Sequence, residues 1–219
     1  PTNIECRNFV RGLDAIITCE TPYNMYLFRY AKSIGVRTYL QPNWEFLEYA
    51  VTNGLTLPTK FLVPSYWNFE QMAAIAPSVY LPPPVFMQNH RKNTKTNFWR
   101  TGRRKFLHVV GKQAQHDRSG LELLYEAVKL LNKDFELVIK AQQPLDKTID
   151  DRRITYDFGN VEDEAELYND FDAMILPRRY GGLCMPMQEA LASGLPVIMS
   201  DISPNNKVLP LEWLVEANH

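Results

Sequence analysis

A chain of 219 residues, 45% hydrophobic and 22% charged, has the make-up of a globular protein with one large domain or two small ones. No stretch approaches the ~18 uncharged apolar residues that span a bilayer, and no signal peptide opens the chain, so a cytoplasmic protein without a transmembrane segment is expected. Three cysteines at wide spacing (Cys6, Cys19, Cys184) and four scattered histidines argue against a disulfide framework and a metal site, and fit a reducing compartment.

The net charge of −1 is unevenly spread. Residues 1–90 carry six basic and six acidic side chains, 91–105 carry seven basic ones and no acid, and the remainder carries eleven basic against nineteen acidic. The chain opens on Pro1 rather than Met and ends without a recognisable stop, so a native chain longer at either end is expected.

In chain order, Leu13–Cys19 is a short apolar run expected to form a buried strand, broken by Glu20-Thr21-Pro22-Tyr23-Asn24. A helix is expected over Met25–Lys32, capped by Gly35, then a strand over Val36–Leu40. Pro42-Asn43-Trp44-Glu45 makes a turn before a short helix ending near Val51, and Phe61–Val63 is a third strand. Ser65 reads as the N-cap of a further helix. Such alternation implies a parallel sheet covered by helices. Pro82-Pro83-Pro84 and the basic stripe mark an interdomain linker over 82–103, between an N-terminal domain (1–81) and a C-terminal one (104–219).

The pattern then restarts. Lys105–Val110 reads as a strand ending in Gly111-Lys112, and Leu121, Leu124, Ala127, Val128 and Leu131 line one face of a helix over 121–131. Strands follow at Phe135–Lys140 and Ile154–Phe158, then a short acidic helix over Glu162–Tyr168. Ala173–Leu176 is a strand closed by Pro177, Met185–Ser193 a helix ended by Gly194, and Pro196–Met199 the next strand. The fold class is α/β, with two Rossmann-like halves of which the first lacks its opening strands.

The chemistry is expected in the run from Pro177 to Ile198. A strand stops, Gly181 and Gly182 let the backbone turn tightly, and a helix begins. Unpaired amides at that helix start suit an anion such as a diphosphate. Glu189, about one turn in, would accept hydrogen bonds from two ribose hydroxyls. Spacing alone leaves a second reading open, in which the glycines serve packing and Glu189 is a solvated helix residue.

The run resembles the donor-binding signature of family 4 glycosyltransferases and their GT-B relatives: Pro177, Gly182, Pro186, Glu189, Ala190, Gly194, Pro196 and Val197 fall in register without a gap, and Asp201 matches an acid after the last strand. Upstream, Val110-Gly111-Lys112 is similar to the family's strand-Gly-Arg element. Arg118-Ser119-Gly120 with Leu123–Ala127 resembles its Lys-Gly and Leu-Leu-x-Ala helix, and Gly159-Asn160-Val161 its Gly-x-Val turn near the base. The resemblance implies a GT-B fold and transfer of a sugar from a nucleoside-diphosphate sugar, without metal or further cofactor and with retention of configuration. Gly111, Lys112, Arg118, Gly182, Leu183, Cys184 and Glu189 would bind the donor.

Two departures stand out. Gly181 replaces the first Glu of the family's Glu-x7-Glu pair, which contacts donor-sugar hydroxyls, and Ser119 replaces a Lys, leaving Arg118 or Lys112 to hold phosphate. The first departure keeps open a non-catalytic nucleotide-sugar binding module as the alternative function. The N-terminal half matches weakly. Asp14–Ile17 leading into Glu20 resembles the acceptor side, where the family often has a histidine, so Glu20, Asn43 and Glu45 become candidates for the acceptor pocket against a reading as loop residues or helix caps.

Other signals are weaker. Asp170-Phe171-Asp172 spells the Asp-x-Asp of metal-dependent GT-A enzymes but precedes an apolar strand, and reads as solvated acids. His108 lies within an apolar strand and reads as core. The stripe 91–105 is either a solvated linker or a surface for an anionic partner, with Phe98 and Trp99 available for stacking. The acceptor is left open among glycan, lipid, protein and modified nucleic acid. A dinucleotide-dependent oxidoreductase ranks last, because no Gly-x-Gly-x-x-Gly follows a first strand.

Overall fold

The computed structural model describes residues 2–20, 24–86, 102–111 and 117–217. It divides into two compact units, Pro1–Pro83 and Pro84–His219. The proposed linker and basic stripe lie outside the described residues from 87 to 101.

The first unit opens with a helix the sequence reading missed, α1 (Asn3–Val10). Its start is a capping box: Thr2 Oγ1 accepts from the Glu5 N–H (3.2 Å), and the Glu5 carboxylate accepts from the Thr2 N–H (2.6 Å). Then come β1 (Ala15–Glu20), α2 (Tyr26–Ser33), β2 (Arg37–Pro42), α3 (Trp44–Thr52), β3 (Lys60–Val63), α4 (Phe69–Ile75) and β4 (Ser78–Tyr80). The strands pair in parallel in the order β1-β2-β3-β4. Crossovers that all step the same way and are all right-handed put their helices on one face. Accordingly one core joins Val10, Phe28, Ala31, Leu47, Ala50 and Met72 of the helices to Ile16, Leu40, Phe61 and Val63 of the sheet. On the opposite face Ile17 and Val79 are exposed, so this sheet is covered on one side.

Ser65 does not cap a helix. Its hydroxyl accepts from the Trp67 N–H (3.2 Å), which closes a local turn, and α4 starts later behind Asn68 in the left-handed region (φ 53°). A serine hydroxyl two residues from an amide satisfies a turn as readily as a helix end.

The second unit contains β5 (Arg104–Gly111), α5 (Leu121–Leu130), β6 (Phe135–Ala141), β7 (Ile154–Phe158), α6 (Glu164–Leu167), β8 (Ala173–Leu176), α7 (Met185–Ala192), β9 (Val197–Ser200) and β10 (Leu214–Val215). Its parallel sheet runs β10-β9-β8-β5-β6-β7. From β5 the chain first moves outward through β6 and β7, then returns to place β8 on the other side of β5. Two cores result. Leu121, Leu124, Tyr125 and Val128 of α5 pack on Leu137 and Ile139, whereas Met187 and Ala190 of α7 pack on Leu107, Met174, Leu176, Val197 and Met199. Alternate residues of β8 serve the two cores, with Ile175 on the α5 side and Met174 and Leu176 on the α7 side. This is a doubly wound sheet, and the order reverses between β5 and β8.

Candidate functional site at the strand-order reversal

Ligands of doubly wound sheets bind outside the carboxyl ends of the strands where the order reverses. Here that point lies between Gly111, which ends β5 in the left-handed region (φ 69°), and Pro177, which follows β8. Pro177 has no N–H to continue a ladder. The Arg178 N–H turns back onto the Leu176 carbonyl (2.7 Å), so the chain leaves the sheet abruptly.

The loop before α5 and the loop after β8 meet at this point. The Arg179 N–H donates to the Arg118 carbonyl (3.2 Å), and the Arg118 guanidinium lies over the Tyr180 ring, 5.5 Å from its centroid. Gly120 (φ 77°) packs so closely that a Cβ there would overlap the Pro177 carbonyl. Gly181 is buried at φ 116°, and a Cβ on it would lie 2.6 Å from Arg178 Nη2 and 3.4 Å from Arg118 Cδ. Gly120 requires glycine because the contact is with backbone, whereas at Gly181 the neighbour is the end of a flexible side chain and the positive φ favours glycine.

The two helix starts at the site differ. At α5 the Asp117 carboxylate accepts from the amides of Leu121 (2.9 Å) and Glu122 (2.9 Å) and from the Ser119 hydroxyl (3.2 Å). At α7 the N-cap is Cys184, no side chain caps the helix, and Pro186 occupies its first turn. The expected Gly182, Leu183 and Cys184 lead directly into this uncapped start. The Cys184 side chain is buried in the α7 core.

Glu189 lies further along α7. Its Oε2 accepts from the hydroxyl of Tyr168 (2.5 Å), a fully buried residue just after α6. The carboxylate is thereby held by a phenol that sequence reasoning did not single out. Asp117 was missed as well, although an acid shortly before an apolar-periodic run is a helix-start signal. Lys112 lies outside the described residues.

In the first unit, Glu20 and Asn43 come to one sheet edge, because Glu20 pairs in register with Pro42 at the ends of β1 and β2. Glu20 adopts φ 64°, uncommon for a side chain with a Cβ. Asn43 is the N-cap of α3, its Oδ1 accepting from the Glu45 N–H (3.2 Å), and Glu45 is exposed in that helix's first turn.

His108 is fully buried, with Nδ1 2.8 Å from the Ile175 carbonyl. Burial pushes its pKa below the usual range, so Nδ1–H donates and the ring stays neutral. Among the described residues no group of His, Cys, Asp and Glu could hold a metal ion. Asp170-Phe171-Asp172 does connect α6 to β8, but Asp172 is not solvated. Its side chain is only 10% exposed, its Oδ2 accepts from the Lys105 N–H (2.7 Å) and its Oδ1 faces Arg104 Nη1 (3.4 Å). The strand pairing of β5 with β8 carries this acid onto the start of a segment 67 residues away. The described end of the basic stripe is engaged in the same way: Arg103 meets Asp134 (3.3 Å) and Lys105 meets Glu136 (3.5 Å). No helix among the described residues is long and apolar enough to cross a membrane.

The parallel sheets and the strand-order reversal define an α/β protein with a Rossmann-like second unit. Residues 104–217, more than half of the chain, match the family described as glycosyl transferases group 1, and the chain belongs to that family. No curated protein matches the sequence. Among solved structures, the fold is similar to the apo form of the lipopolysaccharide outer core galactosyltransferase WaaB (TM-score 0.68, 16% identity, covering 94% of this chain and 63% of that one). It is also similar to sucrose-phosphate synthase from Thermosynechococcus elongatus (TM-score 0.68, 13% identity, 97% and 63%). A third likeness is to the pneumococcal O-GlcNAc transferase GtfA in complex with UDP and GlcNAc (TM-score 0.65, 15% identity, 97% and 48%). These likenesses bear on the fold, which is of the GT-B type. The chain spans less than two thirds of the length of each of these three structures.

Proposed function

We propose that the second unit binds a nucleoside-diphosphate sugar at the β5–β8 reversal and that the protein transfers the sugar to an acceptor. The uncapped start of α7 carries this reading. Its amides, with Gly182, Leu183 and Cys184 ahead of them, offer donors to a diphosphate at the carboxyl ends of the strands. Arg118 would add positive charge from the facing loop, and Gly111 would admit the phosphates close to the backbone, with Lys112 beside it. Negative charge growing on the departing diphosphate would then be met by fixed dipoles and cations, so transfer would need no metal. Retention of configuration and a cytoplasmic site of action belong to the same proposal, the latter supported by three free cysteines.

Glu189, held by Tyr168, would fix the ribose hydroxyls. A carboxylate anchored by a buried phenol presents its second oxygen in one orientation, where its lone pairs can accept from the ribose hydroxyls. Calorimetric titration with UDP-, GDP-, ADP- and CMP-sugars tests the proposal. One donor should bind saturably, Glu189→Ala should weaken it by about 10- to 100-fold, and Tyr168→Phe by less. No binding up to millimolar concentrations sinks the donor site.

A second reading, a nucleotide-sugar binding module without transferase activity, is favoured by Gly181, where the family's signature carries a carboxylate. Donor turnover or hydrolysis by the protein decides between the two. An anionic partner at the basic stripe 91–105 is supported by the charge of those residues alone.

A further inference from the structure

Arg178 is the side chain at this site with a buried polar atom left without a partner among the described residues. It stands two residues beyond β8, at the strand-order reversal, and is 93% buried, its exposure being 7%. Its Nη1 is buried without a hydrogen-bond partner among the described residues. A guanidinium out of water normally has a carboxylate or several carbonyls against it, because an uncompensated buried charge is strongly destabilising.

Gly181 explains why the charge stays open. The position a Cβ would take there is 2.6 Å from Arg178 Nη2, so Arg178 occupies the space a side chain at 181 would need. An acid at 181 would neutralise the guanidinium within the chain, whereas glycine leaves it for a ligand. The Arg118 side chain borders the same spot, 3.4 Å away at Cδ. Two arginines therefore converge on one glycine at the approach to an uncapped helix start.

We infer that Arg178 and Gly181 form an oxyanion subsite, in which Arg178 binds an anionic oxygen of the bound donor. The inference rests on the donor reading above. Two parts of such a donor carry that chemistry: the diphosphate, and a carboxylate on the sugar of a hexuronate. Arg178 is a binding residue here. A buried guanidinium nitrogen without a partner among the described residues costs stability, as expected of a ligand-binding group and not of a structural one.

The test compares wild type with Arg178→Met and Arg178→Lys, using inorganic pyrophosphate, UDP, GDP, ADP, UDP-glucose and UDP-glucuronate. Affinities are read at a temperature where circular dichroism shows every variant folded. Arg178→Met should weaken the bound probes about 10- to 100-fold and flatten the dependence of affinity on salt, with Arg178→Lys intermediate. The melting temperature of ligand-free Arg178→Met should equal or exceed that of wild type. A loss common to pyrophosphate and the nucleotides assigns the diphosphate, and a loss confined to UDP-glucuronate assigns a sugar carboxylate. If wild type binds and Arg178→Met binds equally, the subsite is overturned while the donor site stands. If wild type binds no probe, both fall.

Discussion

The starts of α5 and α7 are built in opposite ways. At α5 the chain supplies its own anion, since Asp117 takes two amides and a hydroxyl, and nothing is left for a ligand at those amides. At α7 the N-cap is a cysteine whose side chain is buried in the core and a proline occupies the first turn, while Gly181 in the preceding loop lies against Arg178. The same backbone dipole is thus met by a side chain of the chain itself in one helix and is left without a side-chain cap in the other.

The largest way to break this comparison is at the contact joining the two loops. Gly120→Ala puts a Cβ onto the Pro177 carbonyl at φ 77°, and should destabilise the protein by about 3 kcal/mol or more in urea unfolding. A loss under ~1 kcal/mol would mean that the loops are not locked together.

Next is Asp117→Ala, which opens α5. It should cost about 1–2 kcal/mol, and added sulfate should restore part of that by occupying the exposed amides. If sulfate stabilises wild type and variant alike, the difference between the two helix starts is not one of anion access.

The smallest effect concerns the strand pair beneath both loops. His108 has its folded pKa pushed below the ordinary 6.5 by burial, so the unfolded chain protonates first. Its contribution is therefore intact above about pH 6.5 and is lost as pH falls below it toward the folded value, at up to about 1.4 kcal/mol per pH unit. Replacing His108 with Gln should flatten the profile between pH 6.5 and 5. An unchanged slope would show that His108 is protonated in the folded state.

Much of the architecture was legible along the chain. β8 (Ala173–Leu176) was read at its true ends because a short apolar run sits between an acid and a proline, and both are local signals. β4 and β10 were missed, since strands of three and two residues carry no periodicity and exist only through their neighbours. α1 escaped although Thr2-x-x-Glu5 spells its capping box, because no apolar stripe drew attention to it. Asp172 was misread as solvated, since its partner amide lies 67 residues away.

The sequence by itself determined the alternation of strand and helix, the glycine turn before α7 and the placement of Glu189 on that helix, because each depends on neighbours within a few positions. Only the tertiary structure decided that Tyr168 anchors Glu189, that Gly120 abuts Pro177 and that Arg178 is buried with a free nitrogen. Those relations depend on the order in which parallel strands lie side by side, and side-by-side order follows from the summed burial of both sheet faces and leaves no local mark on the chain.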